Sequence, residues 1–215
     1  NLKRILTEHQ LTQVRCQEDW GGIVLKQYAE LMEHADGTVA DARCPEAVNL
    51  IERYNEERNL SIQVADIEPI LIHCARELSA RADLADGEKI ITTPCRILAE
   101  QGNALELPHT RFVSWKDFFS ELGESLEPAP EASPIPPGFF MGLSVPVVSL
   151  SGREDIEDYL EERSRTSEGE SEDRMMSGTA GSQNIGAVIA DAGRKPLLLE
   201  LLYCPKGCHM GDGVR

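Results

Sequence analysis

Basic charge is scarce in this chain: 21 lysines and arginines stand against 37 acidic residues, a formal net charge of −16. Such a field repels phosphate backbones and anionic lipid, so neither nucleic acid nor a membrane surface is expected as a partner. No apolar run approaches the roughly 18–20 residues that span a bilayer. The opening stretch NLKRILTEHQ has no signal-peptide core. A cytoplasmic protein is the expectation. No internal repeat occurs at solenoid periods. Phosphate-binding glycine loops, H-E-x-x-H and the nucleophile elbow are also missing, which sets aside the commonest phosphate-binding, zinc-protease and serine-hydrolase chemistries.

What is present is a globular chain of 215 residues with 41% apolar content, enough for one large domain or two small ones. Strand and helix signals alternate. A short strand near TQVRC precedes a helix over 21–34, where Ile23, Val24, Tyr28, Leu31 and Met32 fall at helical spacing. A strand in GTVADA leads into CPEAVNLIERYNEE, with Val48, Leu50, Ile51 and Tyr54 on one stripe. A helix follows over 67–81, then a strand over 89–94. This rhythm predicts an α/β fold with parallel sheet. Five of the twelve prolines fall in LEPAPEASPIPPG, an extended connection. Beyond it, PVVSLSG reads as a strand, REDIEDYLEERSR as an acidic helix, and residues 164–182 as an exposed or mobile insertion. NIGAVIADAG reads as a short helix. PLLLELLYC, continuously apolar apart from Glu200, reads as a central strand. The expected organisation is a first lobe over 1–125, a proline-rich connection over 126–145 and a second lobe over 146–215.

Six cysteines is a high count for a reducing compartment. Their long, unsignalled α/β context favours metal or redox use over a disulfide framework. Cys74 sits in a helix stripe with Ile70, Leu71 and Leu78 and reads as a small buried hydrophobe. Cys16, at the end of a short strand, reads the same way. The other four lie beside proline or glycine at element boundaries: Cys44 in ARCPEA, Cys95 in TTPCRI, and Cys204 with Cys208 in YCPKGC. Ligands of open α/β sheets bind at the carboxyl ends of strands, and these four thiols come from three such ends. The C-x-x-x-C turn alone admits a disulfide, a zinc site, a redox pair or an iron–sulfur ligand turn. Structural zinc favours C-x-x-C in small domains short of core, so four thiols in a large domain fit an iron–sulfur cluster better.

These stretches resemble a family. The order DARCPEAVNLIERY, TTPCRILAEQG, ELLYCPKGCHMGDGV is similar to the three ordered cysteine motifs in the C-terminal catalytic domain of the iron-only (FeFe) hydrogenases' large chain. IEPILIHCARELSA and GGIVLKQYAELMEH resemble two of that family's helices, and the likeness covers most of residues 10–125 and 145–214. The resemblance implies two lobes of mostly parallel sheet flanked by helices with an iron–sulfur site between them. It implies that Cys44, Cys95, Cys204 and Cys208 ligate a 4Fe-4S cluster, with Cys208 at the position that bridges to a two-iron subsite. It also implies a redox partner protein, or an attached ferredoxin-like or sensor domain. The chain begins inside the expected first βα unit, as a portion of a longer protein would.

The departures are specific. Arg43 stands where the family has a second, proton-relaying cysteine, and a guanidinium does not release its proton at working pH. Leu98 replaces the lysine of the second motif, and Thr93 and Leu202 replace methionines. SPIPPGFFMGLSVP occupies the place of a glycine- and methionine-bearing stretch that lines the family's active site. The expectation is therefore a sensory or electron-transfer module that holds the 4Fe-4S cluster without efficient hydrogen chemistry. The alternative is a hydrogenase proper, with a two-iron subsite. Of the histidines, His9, His34, His73 and His109 read as surface or element-end residues. His209, beside Cys208, is a candidate for tuning a cluster or carrying a proton.

Overall fold

A computed structural model describes residues 2–167 and 196–215. The expected insertion from 168 to 182 and the expected short helix NIGAVIADAG lie outside the described residues. The chain is α/β, as its alternation implies, and divides into two compact units. The first is Asn1–Val24, Glu68–Pro134 and Gly207–Arg215, and the second is Leu25–Ile67 and Ile135–Lys206. These units interleave along the chain. The reason is parallel pairing. A strand from near the end of the chain inserts beside one from the first fifty residues, and parallel neighbours tolerate long connections between them.

The second unit is built on a four-stranded parallel sheet in the order β2-β1-β6-β5, with β1 at Thr38–Ala40, β2 at Gln63–Val64, β5 at Val147–Ser151 and β6 at Leu197–Leu202. All six residues of β6 are buried, Glu200 included, as befits a strand with neighbours on both sides. Leu197, Leu199 and Leu201 point into a core with Ile51 and Tyr54 of α3 (Pro45–Arg58) and Ile156, Tyr159 and Leu160 of α7 (Arg153–Ser167). Each such leucine contributes roughly 1.5–3 kcal/mol relative to exposure. Residues 164–167, expected in an insertion, are the last of α7, and Ser164 is buried. Helix α3 starts with Pro45 in its first turn and ends at Asn59 in the left-handed region, φ 52°. Asn55 then ties the following loop down, accepting from Ile62 N at 3.0 Å and donating to Ile62 O at 2.7 Å.

The first unit holds a parallel pair, β3 (Lys89–Thr93) and β4 (Thr110–Ser114), in register from Lys89 opposite Thr110 to Thr93 opposite Ser114. Helix α5 (Arg96–Asn103) makes the crossover. Ile91 and Phe112 face one core with Ile72 and Ala75 of α4 (Ile70–Ala80) and with Leu98 and Ala99. Ile90 and Val113 face another with Ile5 of α1 (Leu2–Glu8) and Phe118 and Phe119 of α6 (Trp115–Glu121). This is the two-residue alternation of strands. Gly102 is obligatory here, since a Cβ on it would lie 2.2 Å from the Phe112 ring. Ser114 caps α6, its Oγ accepting from Asp117 N at 3.1 Å, which is worth about 1 kcal/mol.

The boundary between the units falls within α2 (Trp20–Glu33), whose buried face carries Val24, Tyr28 and Met32. The expected strand at TQVRC is not formed. Residues 11–16 have no regular structure, and the backbone here and just beyond is engaged by Arg81 and by Glu77 of α4 instead of a strand partner.

Candidate functional site

The cysteine motifs follow one design in both units. In the second, β1 leads through Asp41–Arg43 to Cys44, the N-cap of α3 with extended backbone, φ −111°. Strand β6 is the parallel neighbour of β1, so the carboxyl ends of both strands open on the same edge. The chain leaving β6 crosses Cys44 at once: Tyr203 N donates to Cys44 Sγ at 3.5 Å, and Cys204 is the next residue. Ser151 at the end of β5 fixes the turn by donating from Oγ to Cys204 O at 3.2 Å. Burial pushes the Cys44 thiol above its ordinary range, while the amides of Tyr203, Ala47 and Glu46 pull the other way by favouring a thiolate.

In the first unit, β3 ends in Pro94 and Cys95, and Cys95 is the N-cap of α5, φ −147°. The glycine-rich turn that carries Cys208 packs on this point. Gly213 N donates to Pro94 O at 3.1 Å, Arg96 N donates to Asp212 Oδ1 at 3.2 Å, and Lys116 N donates to Gly213 O at 2.7 Å. A Cβ on Gly211 would stand 2.4 Å from Pro94 O, and one on Gly213 would stand 2.9 Å from Cys95 N. The glycines after Cys208 are what let its turn seat on the Cys95 backbone. Gly207, with φ 114°, makes the corner just before Cys208.

The expected ligands therefore come as two pairs, Cys44 with Cys204 in the second unit and Cys95 with Cys208 in the first. Among the described residues no group of three or more His, Cys, Asp or Glu side chains is gathered as a metal site.

Arg43, next to Cys44, is locked into an ionic cluster. Its Nε and Nη2 donate to the two oxygens of Asp41, each at 2.9 Å, and Nη2 also donates to Glu200 Oε1 at 2.7 Å. Both carboxylates are fully buried, and the arginine side chain is 7% exposed. Glu200 in turn accepts from Gly138 N at 2.7 Å and Phe139 N at 2.9 Å, so the end of the proline-rich stretch hangs from β6. The guanidinium packs against the Phe139 and Phe140 rings, 4.8 and 4.4 Å from their centroids. Asp41 also accepts from Arg43 N at 2.8 Å. Sequence reasoning notes Glu200 only as the exception in an apolar strand and misses its role. The available signal is its position, the single charge in an otherwise apolar central strand, which requires a buried partner.

No family model, curated protein or solved structure matches this chain. The geometry of its own residues is what bears on function.

Three residues beside the cysteine motifs are buried, Leu98 and Leu202 at 5% and 4% exposure and Thr93 at 0%. Thr93 Oγ1 donates to Cys95 O at 2.7 Å, so it shapes the cysteine turn from within. His209 has its ring Nδ1 3.1 Å from Ser133 Oγ, and the same hydroxyl accepts from His209 N at 2.9 Å, fastening the proline-rich stretch beside Cys208. His73 stacks on Trp20 with ring centroids 5.0 Å apart. Cys16 and Cys74, read separately as isolated buried hydrophobes, are only partly buried and hydrogen-bond to each other.

The donor chemistry suits an iron–sulfur cluster. Cys44 and Cys95 both stand at the N-cap position of a helix that follows a parallel strand. Backbone amides face Cys44 Sγ, as they do the sulfurs of such clusters.

Proposed function

We propose that this chain is a divergent FeFe-hydrogenase-like iron–sulfur domain in which Cys44, Cys95, Cys204 and Cys208 hold a 4Fe-4S cluster. It serves as a sensory or electron-transfer module. The observation that supports the ligand set is the repeated placement: Cys44 and Cys95 each stand between a parallel strand and a helix, and within each unit a residue flanking the C-x-x-x-C turn bonds beside one of them, Tyr203 at Cys44 and Gly213 at Pro94. When bound, the cluster supplies one-electron redox chemistry. The protein's part is to present four thiolates, aim amides at Cys44 and seat the Cys208 turn.

Arg43 argues against efficient hydrogen turnover. It occupies the place of a proton-relaying cysteine, and its charge is committed to Asp41 and Glu200. A positioned proton donor contributes typically about 10²–10⁴-fold to such a step. The buried Leu98 and Leu202 offer no polar contact to diatomic ligands of a two-iron subsite. No helix among the described residues is long and apolar enough to cross a membrane. The surplus of acidic residues disfavours nucleic acid and suits a basic redox partner or an attached sensor domain in the cytoplasm.

Reconstitution with the cubane alone and then with a two-iron subsite, followed by infrared spectroscopy and a hydrogen-evolution assay, separates this reading from a hydrogenase proper. A redox-cycling cluster without carbonyl and cyanide bands is expected. Those bands together with fast hydrogen evolution would make the chain a hydrogenase.

A further inference from the structure

The stretch before α2 is fastened along one face of α4. Arg81 Nη1 donates to Arg15 O at 2.8 Å. Glu77 accepts from Gln17 N at 2.7 Å, from Glu18 N at 3.2 Å and from Trp20 Nε1 at 2.7 Å. Trp20 then lies flat on His73, with 7° between the ring planes. Clamps on both sides of Cys16 thus hold it against the helix that carries Cys74, which sits one turn before Glu77 on the same face. The Cys74 thiol meets the Cys16 sulfur as a hydrogen-bond partner. Both residues keep partial access to solvent.

We propose that Cys16 and Cys74 form a reversible disulfide, a thiol–disulfide exchange site separate from the four cysteines assigned to the cluster. Cys16 is the nucleophile and Cys74 the resolving thiol. Burial raises the Cys16 thiol above its ordinary value, and the hydrogen bond from Cys74 and the Arg81 charge offset part of that rise; burial, with the neighbouring Cys16, pushes Cys74 further, up to about 12, so Cys16 is the thiol of the two that ionises first. The oxidant is a small-molecule disulfide. Cys16 thiolate attacks one of its sulfurs, a mixed disulfide forms, and one thiol leaves as thiolate and takes up a proton. Cys74, deprotonated in the step, then attacks Cys16 Sγ, closes the Cys16–Cys74 bond and expels the second thiol. Two protein thiols lose two electrons and two protons, and one small-molecule disulfide becomes two thiols. The bond ties the residues ahead of α2 covalently to α4, and closing so long a loop raises the unfolding temperature.

The test incubates the full chain anaerobically at graded ratios of oxidised to reduced glutathione, traps remaining thiols by alkylation and maps the peptides without reduction. A Cys16–Cys74 cross-linked peptide that appears with oxidised glutathione and disappears with dithiothreitol is expected. In Cys74→Ser the glutathione adduct should persist on Cys16, since nothing resolves it, and Cys16→Ser should form no cross-link at Cys74. Wild type in which both residues stay alkylatable at every ratio, or in which Cys16 keeps its adduct beside an unreacted Cys74, overturns the proposal. The wild-type map decides even if a variant fails to fold, and it reads the same whether or not a cluster is bound.

Discussion

Glu200 Oε1 lies 2.7 Å from Nη2 of Arg43, 157 positions earlier in the chain, and the two meet where β6 runs alongside β1. With Asp41 they form a buried cluster of two acids and one base that also holds the amides of Gly138 and Phe139. Removing one partner leaves uncompensated buried charge, which costs about 3–5 kcal/mol. Arg43→Ala should fall in that range, because two carboxylates are left facing each other. Urea unfolding of the variant checks it, and a loss under about 1 kcal/mol would show that the cluster is solvated after all.

Tyr28 supplies a pH test. Its hydroxyl accepts from Ala42 N at 2.9 Å and lies 3.5 Å from Asp41 Oδ1. Burial, then the Asp41 charge, push its phenol far above the ordinary 10.0. The folded value exceeds the unfolded one, so this stability is fully present below about pH 10 and is lost as pH rises toward the folded value. Tyr28→Phe should flatten the alkaline fall in stability while costing about 1–3 kcal/mol at neutral pH, by leaving the Ala42 amide unpaired. Chemical denaturation at pH 7 and above pH 10 compares the two. A variant with the wild-type alkaline slope contradicts the assignment.

The seat of the Cys208 turn is tested by Gly211→Ala. The new methyl would lie 2.4 Å from Pro94 O, a backbone atom that cannot move aside cheaply. The fold should survive by circular dichroism, because the β3–β4 pairing and the cores of its unit do not include this turn, while reconstituted iron should fall well below the wild-type content. Full iron with an unchanged visible spectrum would show that the contact with Cys95 does not position a ligand.

Legibility in the sequence follows the range of the interactions. Strand β6 is readable because a fully buried parallel strand is apolar nearly throughout, here with Glu200 the one exception, and α3 because proline at its start and a stripe at Leu50, Ile51 and Tyr54 are local signals. Strand β4 and helix α6 escape a sequence reading: TRFVS shows its alternation only once β3 lies beside it. The strand expected at TQVRC fails because apolar alternation there has no partner, and the side chains of Glu77 and Arg81 take the backbone bonds. The interleaving of the units is invisible locally, since it depends on β6 choosing β1 across more than a hundred residues. At the site, strand-end cysteines can be picked out from their proline and glycine neighbours. The Cys16–Cys74 contact cannot, because Cys74 shares a helix stripe with core residues and its partner lies in an irregular segment.

Cys16 and Cys74 also separate ligands from bystanders. Cys16→Ala and Cys74→Ala should each retain the cluster's visible absorption after anaerobic reconstitution, whereas Cys44→Ala or Cys95→Ala should lose most of it. Absorbance spectra at equal protein concentration decide this, and bleaching in either of the first two variants would mean that the ligand set is misassigned.

The central claim, that Cys44, Cys95, Cys204 and Cys208 together hold one 4Fe-4S cluster, is tested most directly by counting iron and acid-labile sulfide per chain after anaerobic reconstitution. The account predicts near-equal iron and sulfide at about four of each per chain. Stoichiometric zinc without sulfide, or no retained iron in a folded chain, would contradict it.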